Sequence, residues 1–449
     1  MSMNQDTGYI DVFYAGAPVE VRPSFGAEEG RMLGQAALDG AGVQLVLPTE
    51  LRPTSEDEAA RQREWREINE RVDGHVKAIE FETMKLEGGQ RISVGMLNHR
   101  RPDGTLRAGQ ENPWVIATST ITSSTETNPG NPLELSLLSA LNPDLPTMLI
   151  SSPGIGKTSP LSIDEQYDFA ATGRMTRDGD GQAVPFELIQ NLADELVRRD
   201  IHVRHLIGPS LGAVTATALG AALPNWQIEN LIVQNPPELS TLPKLLMIGR
   251  YFWEGVRSRR AQRTTPDPWA ITKDRIAHVR ELRSGAGDMY APHEGNRNMV
   301  QTVYSKVLAL RKFMGKIGLV SNLASGLGNG IDGGWLRTNS TGKDPLFGDM
   351  SAFLTKQPAA KVTFVVGGQD PLNTRSWRPH TRTLLQRLSL DHPLASLRLF
   401  ELPGMTHSFN THYPQLVIAF FAKILGRQAA PTAAGQASIL SEDMVFRAN

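Results

Sequence analysis

Cysteine is missing from this chain of 449 residues. Its absence excludes disulfide bonds, thiolate metal sites and a cysteine nucleophile. Long apolar runs are missing too, so no segment is predicted to cross a membrane. Residues 1–12 are polar and acidic, and they lack the basic and apolar regions of a secretory signal. A cytoplasmic location is therefore the default expectation.

An excess of charge is also missing, because 46 Lys and Arg residues stand against 47 Asp and Glu residues. A formal net charge of −1 gives no reason to expect nucleic acid or an anionic membrane as a partner. Hydrophobic residues make up 40% of the sequence and charged residues 21%, which is typical of a globular protein with an ample core.

What the sequence does contain is an alternation of apolar strands and amphipathic helices from residue 114 onward. This alternation predicts the α/β class, with a mostly parallel sheet covered by helices on both faces. The predicted strands lie at 114–117, 147–150, 202–207, 228–233, 362–366 and 396–402, and the predicted helices at 132–141, 185–199, 211–223, 378–388 and 414–425. Active sites of such sheets collect at the carboxyl ends of the strands.

The first part of the chain precedes this alternation. Residues 1–75 are predicted to form an N-terminal extension, whose clearest element is a charged helix at 56–72. Ser55 and Glu58 have the spacing of a capping box at its start. Period-two alternation then predicts a hairpin, with strands in 75–86 and 91–97 joined through Gly88-Gly89.

The segment 236–360 interrupts the alternation. It contains predicted helices at 242–260, 272–283 and 296–317, followed by a glycine-rich run at 325–334. We therefore expect a core formed by 76–235 and 361–427, a mainly helical lid at 236–360, and a flexible C-terminal tail at 428–449.

A G-x-S-x-G pattern lies between a predicted strand and a predicted helix, at Gly208, Ser210 and Gly212. In that context the serine sits on a sharp turn that exposes its hydroxyl at the edge of the sheet. A Cβ at either glycine would collide with the neighbouring strand or helix. Ser210 is therefore the candidate nucleophile, and the alternative is a structural serine in a glycine-rich turn.

A serine hydroxyl needs a base and an orienting acid to become nucleophilic. Asp370 and His407 each follow the end of a later predicted strand, so they should converge with Ser210 at one edge of the sheet. In this prediction His407 accepts the serine proton and Asp370 holds the imidazole tautomer. His412 is an alternative base, and Glu238 is an alternative acid.

These motifs resemble those of the α/β-hydrolase superfamily. The turn 208–212 is similar to the family's nucleophile elbow, 366–370 to its acid loop and 403–407 to its histidine loop, in the family's order of Ser, acid and His. The resemblance covers about residues 76–427 and implies the α/β-hydrolase fold. It also implies that the 236–360 insertion is a lid over the substrate pocket.

The resemblance also implies an oxyanion hole, in which the backbone N–H of Leu211 is one donor. The second donor normally comes from a His-Gly loop after the third strand, but this chain has Thr118-Ser119-Thr120-Ile121 there. We assign the second donor to the N–H of Ile121 or of Thr120, since a backbone donor needs no particular side chain.

A competing motif ends in Gly156-Lys157-Thr158, like a nucleotide-binding P-loop. The P-loop requires a glycine where this chain has Ser151, and it requires a helix directly after the lysine. Pro160 cuts such a helix short. The segment instead resembles a Pro-Gly turn of α/β-hydrolases, so nucleotide hydrolysis is not expected.

The sequence therefore predicts a serine hydrolase, an esterase or lactonase, that cleaves an ester, lactone or related acyl bond of a small molecule through an acyl-enzyme. No cofactor or metal is expected, and the oligomeric state stays open. One alternative is acyl transfer from acyl-CoA to an alcohol, because the Ser-Leu-Gly elbow and the 120–123 loop resemble homoserine O-acetyltransferases. The other is a ligand-binding protein without catalysis.

Overall fold

The computed structural model describes residues 55–119, 145–154, 157–159, 183–210, 212–225, 227–236, 273–282, 345–367, 370–372, 387–402 and 406–412, with isolated pieces at 135–136, 139, 161–162, 165, 176–177, 250, 385, 414, 417 and 421. The predicted helices at 242–260 and 296–317, the glycine-rich run and the tail lie outside the described residues. The predicted helices at 132–141, 378–388 and 414–425 lie largely outside them.

One eight-stranded sheet organises the described part of the chain, in the order β1-β2-β4-β3-β5-β6-β7-β8. Strand β2 is antiparallel to both of its neighbours, and the pairs from β4 to β8 are parallel. The strands are β1 (Glu80–Lys85), β2 (Arg91–Leu97), β3 (Trp114–Thr118), β4 (Thr147–Ile150), β5 (Val203–Pro209), β6 (Asn230–Gln234), β7 (Lys361–Gly367) and β8 (Ser396–Leu402). Each predicted strand of the alternation is thus present, within a few residues of its predicted bounds.

Helices pack on the sheet or on one another, as α4 does on α1 and α5 does on α3. None of the described helices is long and apolar enough to span a bilayer. Helix α3 follows β5 directly and packs on the central strands, with nearly every residue buried. The helices are α1 (Glu58–Ala78), α2 (Glu187–Arg198), α3 (Gly212–Ala222), α4 (Lys273–Leu282), α5 (Pro345–Lys356) and α6 (Phe409–His412). The predictions at 185–199, 211–223 and 272–283 correspond to α2, α3 and α4.

The core is built where apolar strands meet these helices. Val, Ile, Leu and Phe residues of β5, β6 and β7 are buried on both faces, as expected for a parallel sheet between helical layers. Helix α5, where the sequence predicts none, packs against α3, and a Cβ at Gly220 would collide with the ring of Phe353. The buried Gln357 side chain then binds the end of α3, because its amide donates to Gly220 O at 3.1 Å and Pro224 O at 2.8 Å.

The end of helix α1 differs from the sequence prediction. Helix α1 runs through Ala78, so residues 75–78 belong to the helix and not to the hairpin strand. The buried Ile68, Val72 and Val76 recur along α1 and dock it on the core, which extends the helix beyond its predicted end. The hairpin itself is confirmed as β1 and β2.

The predicted capping box at Ser55 and Glu58 is wrong. The N-cap is Asp57, whose carboxylate accepts the Ala60 N–H at 2.9 Å. Ser55 instead hydrogen-bonds to the Glu64 carboxylate through its hydroxyl and its backbone N–H. Aspartate caps a helix as well as serine does, so the residue nearest the first helical turn takes the role.

Burial of His205 on β5 makes the free energy of unfolding depend on pH. Desolvation, with smaller effects of Arg204 and Lys361, lowers the pKa of His205 from 6.5 to about 4. The neutral ring lies with Nδ1 3.0 Å from Asn230 Nδ2. The unfolded chain therefore binds a proton on the His205 ring more readily than the folded chain does. The free energy of unfolding decreases as the pH falls below about 6.5, and this decrease ends near pH 4.

We expect the free energy of unfolding to fall by about 2 kcal/mol more in the wild type than in His205→Gln between about pH 7 and about pH 5. Urea denaturation followed by circular dichroism measures the difference. Equal pH slopes in the two proteins would contradict it.

Candidate active site

The chain turns sharply between β5 and α3, and Ser210 stands at this turn. Its φ of 50° lies in the left-handed region, which non-glycine residues rarely adopt. Two backbone hydrogen bonds hold the turn, because Ser210 N–H donates to Gln234 O at 2.7 Å and Ala213 N–H donates to Ser210 O at 2.9 Å. The strained conformation is thus fixed from both sides, as the elbow motif predicts.

The two glycines of the motif are required by close backbone contacts. A Cβ at Gly208 would lie 2.6 Å from Ala213 Cα and 2.8 Å from Gly212 O. A Cβ at Gly212 would collide with Thr118 Oγ1 and lie 2.9 Å from Ser119 O. The collisions that the motif predicts at both positions are therefore present, and most of them involve backbone that cannot move aside.

Gly208→Ala tests this packing. The added methyl group should displace the start of α3 and with it Ser210, lowering the free energy of unfolding by about 1–3 kcal/mol. Activity should fall by about 10²-fold, since a shift of about 1 Å in a reacting group has that effect. Gly74→Ala is the matched control, because nothing lies within 4 Å of the added Cβ on helix α1. Equal stability and activity of the two variants would contradict the packing argument.

Asp370 and His407 follow the ends of β7 and β8, as predicted. His407 Nδ1 lies 2.9 Å from Asp370 Oδ2, and His407 Nε2 lies 2.9 Å from Ser210 Oγ. The structure therefore brings the three predicted residues together in one hydrogen-bonded chain. Asp370 is 3% exposed and His407 8% exposed, so water competes little for these contacts.

The position of the carboxylate decides which ring nitrogen carries the proton. Asp370 Oδ2 accepts from Nδ1–H of a neutral imidazole, and Nε2 is then left to accept the Ser210 hydroxyl proton. The other carboxylate oxygen, Oδ1, accepts the Leu372 N–H at 2.8 Å, and the Asp370 N–H donates to Gly367 O at 3.0 Å. These bonds fix the carboxylate and, through it, the ring.

The remaining predicted site residues divide into two groups. Leu211, Thr120 and Ile121, the predicted oxyanion donors, lie outside the described residues, as does Glu238. His412 is the last residue of helix α6, which begins after His407, the histidine that contacts Ser210. Among the described residues, no cluster of three or more His, Asp and Glu side chains is arranged to hold a metal ion.

A buried hydroxyl network behind the elbow was not expected from the sequence. Thr118 Oγ1 donates to Gly212 O at 2.7 Å, which joins the end of β3 to the start of α3. Ser152 Oγ donates to Ser119 O at 3.0 Å and accepts from Thr215 Oγ1 at 3.1 Å. The network fixes the chain that leads into the predicted oxyanion donors at 120–121. Runs of Ser and Thr at strand ends are the only sequence signal for it.

The P-loop-like segment is part of the same sheet edge. The Thr158 hydroxyl accepts the Ser93 N–H at 3.0 Å, and Ser159 N–H donates to Arg91 O at 2.8 Å. The hydroxyl that would bind a nucleotide's magnesium ion is thus fully buried against β2. The described residues 157–159 of this segment thus pair with β2.

The sheet order, its single reversed strand β2, the strained serine turn after β5 and the Asp and His loops after β7 and β8 define the α/β-hydrolase fold. No protein-family description matches the sequence, and no curated protein matches it.

Solved structures of similar fold include a bromoperoxidase from Bacillus anthracis, with 11% identity and a TM-score of 0.39, covering 77% of this chain and 99% of that one. An epoxide hydrolase from Vigna radiata has 13% identity and a TM-score of 0.41, covering 78% and 99%. An esterase from Exiguobacterium antarcticum has 9% identity and a TM-score of 0.39, covering 77% and 99%.

Proposed function

We propose that the protein is a serine hydrolase that cleaves a carboxylic ester, lactone or related acyl bond of a small molecule. The observation that carries the proposal is the hydrogen-bonded chain from Ser210 Oγ through His407 to Asp370, with both links at 2.9 Å. Serine at the elbow favours acyl chemistry, because its oxygen adds to a carbonyl carbon once its proton can leave.

The first half-reaction forms the acyl-enzyme. Ser210 Oγ attacks the substrate carbonyl carbon while His407 Nε2 accepts the hydroxyl proton. Asp370 stabilises the imidazolium that results, since its carboxylate already contacts Nδ1. The tetrahedral intermediate then collapses, the carbon–oxygen bond to the alcohol breaks, and the imidazolium gives its proton to the departing alkoxide.

The second half-reaction uses the same groups with water in place of serine. His407 Nε2 accepts a proton from a water molecule, whose oxygen attacks the acyl carbon. Collapse of this intermediate returns the proton to Ser210 Oγ and releases the carboxylic acid. In a lactone substrate the alcohol and the acid are parts of one product molecule, so only the ring is opened.

The negative oxygen of each tetrahedral intermediate needs donors. We assign this role to the backbone N–H of Leu211 and to that of Ile121 or Thr120. The location of Ser119 supports the second assignment, because its backbone is held beside the elbow through Ser152. One such donor contributes about 3 kcal/mol of transition-state stabilisation.

A fluorophosphonate probe tests the proposal directly, since it phosphonylates a serine only when the base is engaged. We expect the wild-type protein to be labelled on Ser210, located by mass spectrometry of the labelled peptide. A protein that is not labelled, or is labelled equally after Ser210→Ala, would refute the enzymatic proposal and favour a ligand-binding role.

Turnover of p-nitrophenyl esters then separates hydrolysis from acyl transfer. A hydrolase transfers the acyl group to water, so the carboxylic acid remains the main product when an acceptor alcohol is added. An acyltransferase accelerates when the acceptor alcohol is added and yields the acylated alcohol, which mass spectrometry detects. The second result would replace hydrolysis with the acyl-CoA-dependent alternative on the same three residues.

A further inference from the structure

Asn235 stands immediately after β6, at the edge of the sheet that carries the site. It is 2% exposed, and its φ of 41° lies in the left-handed region. Asparagine, aspartate and glycine tolerate this conformation better than other residues. A buried residue with this backbone, next to a candidate site, indicates a position whose side chain has a defined task.

The Asn235 carboxamide binds the loops of both partners of Ser210. Its Nδ2 donates to the backbone O of His407 at 2.6 Å, and its Oδ1 accepts the N–H of Gly367 at 2.7 Å. Gly367 ends β7 and accepts the Asp370 N–H, so it begins the turn that presents the carboxylate. One side chain thus connects the base and the acid across 172 and 132 residues of sequence.

The backbone around Asn235 connects to the third member as well. Asn235 N–H donates to Val365 O at 2.8 Å, and the preceding Gln234 O accepts the Ser210 N–H at 2.7 Å. The end of β6 is therefore the place where the turns of all three residues are joined. Only a carboxamide of this length supplies one donor and one acceptor here, because aspartate lacks the donor and leucine lacks both.

We infer that Asn235 is a positioning residue of the hydrolase. It acts through His407 and Asp370, fixing the backbone of both loops so that the imidazole bridges Ser210 Oγ and the carboxylate. The inference rests on the proposed function, because it assigns Asn235 a role only in that chemistry.

Two variants test the inference while keeping the left-handed backbone accessible. Asn235→Asp retains the acceptor for the Gly367 N–H but places a carboxylate oxygen against the backbone O of His407, where the two oxygens repel. Asn235→Gly removes the hydrogen bonds to both Gly367 and His407. We expect each variant to react with a fluorophosphonate about 10²-fold more slowly, with a similar loss in kcat on a p-nitrophenyl ester and little change in KM. Asn230→Asp is the matched control, since this buried asparagine of the same strand contacts His205 and should label at the wild-type rate.

A double variant separates positioning from a general structural effect. In a His407→Ala background the base is absent, so Asn235→Gly should cause no further loss in residual ester turnover. A further loss as large as in the wild-type background would contradict the inference. The inference would also be contradicted if either folded Asn235 variant were labelled at the wild-type rate, or if circular dichroism showed that both variants are unfolded. Failure of the wild type to label would instead refute the proposed function.

Discussion

Ser210→Ala is expected to lower kcat for ester hydrolysis by about 10⁶-fold, the loss seen when the nucleophile of a serine enzyme is removed. The alanine methyl group has no oxygen to form the acyl-enzyme, and His407 Nε2 loses the hydroxyl proton that it would accept. The fold should persist, because the Ser210 backbone bonds to Gln234 and Ala213 do not involve the side chain. Stopped-flow or steady-state assays with a p-nitrophenyl ester measure kcat, and circular dichroism shows whether the fold persists.

Ser351→Ala is the matched control for this prediction. Ser351 Oγ lies 3.0 Å from His392 Nε2, so it is a second serine in hydrogen-bond contact with a histidine. It stands in the regular helix α5, without the strained turn of Ser210. Its removal should leave kcat unchanged. Equal losses in the two variants would show that the measured effect does not arise from the elbow.

The same assay distinguishes the two candidate bases. His407→Ala should be about as damaging as Ser210→Ala, because the base and the nucleophile act as one unit. His412→Ala should retain activity near the wild-type value. The reverse pattern would move the role of general base to His412.

Asp370→Asn is expected to lower kcat by about 10⁴-fold, with little change in KM. The amide keeps the shape of the carboxylate, but its NH₂ group facing Nδ1 favours the tautomer with the proton on Nε2. That nitrogen can then no longer accept the Ser210 proton. Loss of the buried negative charge also removes the stabilisation of the imidazolium.

Asp349→Asn provides the comparison for this second prediction. Asp349 is also a buried aspartate, 1% exposed, but it lies in the covering helix α5. Its substitution should alter the free energy of unfolding and leave kcat near the wild-type value. Should Asp370→Asn retain activity while Glu238→Gln abolishes it, the acid would be Glu238.

Most of the sheet follows from local sequence. Strands β4 and β8 have the predicted bounds. Strand β4 is mostly apolar and β8 alternates apolar with polar residues, and a proline borders each of them, Pro146 before β4 and Pro403 after β8. Placing Ser210, Asp370 and His407 after three such strands was enough to predict their convergence, since parallel strands end at one edge. The distances between their side chains, in contrast, come only from the folded structure.

Features that depend on tertiary contacts could not be predicted in the same way. Asn235 belongs to no motif, and its function depends on two loops that are remote in sequence. The continuation of α1 through residues 75–78 depends on burial of Val76 against the core, whereas the local alternation of polar and apolar residues favours a strand. Helix α5 packs against Gly220 of α3 through Phe353, and no local sequence pattern distinguishes this phenylalanine from the others.

The residues of the candidate site are far apart in the sequence, so they are not synthesised together. Ser210 and His407 are 197 residues apart, and His407 follows the last strand of the sheet. Since chains emerge from the ribosome N-terminus first, the elbow can fold with β3, β4, β5 and β6, whose Gln234 O accepts the Ser210 N–H, long before its base exists. Under the proposed mechanism, Ser210 of a nascent chain would therefore have no base, and acyl chemistry would begin only after His407, which follows β8, has been translated.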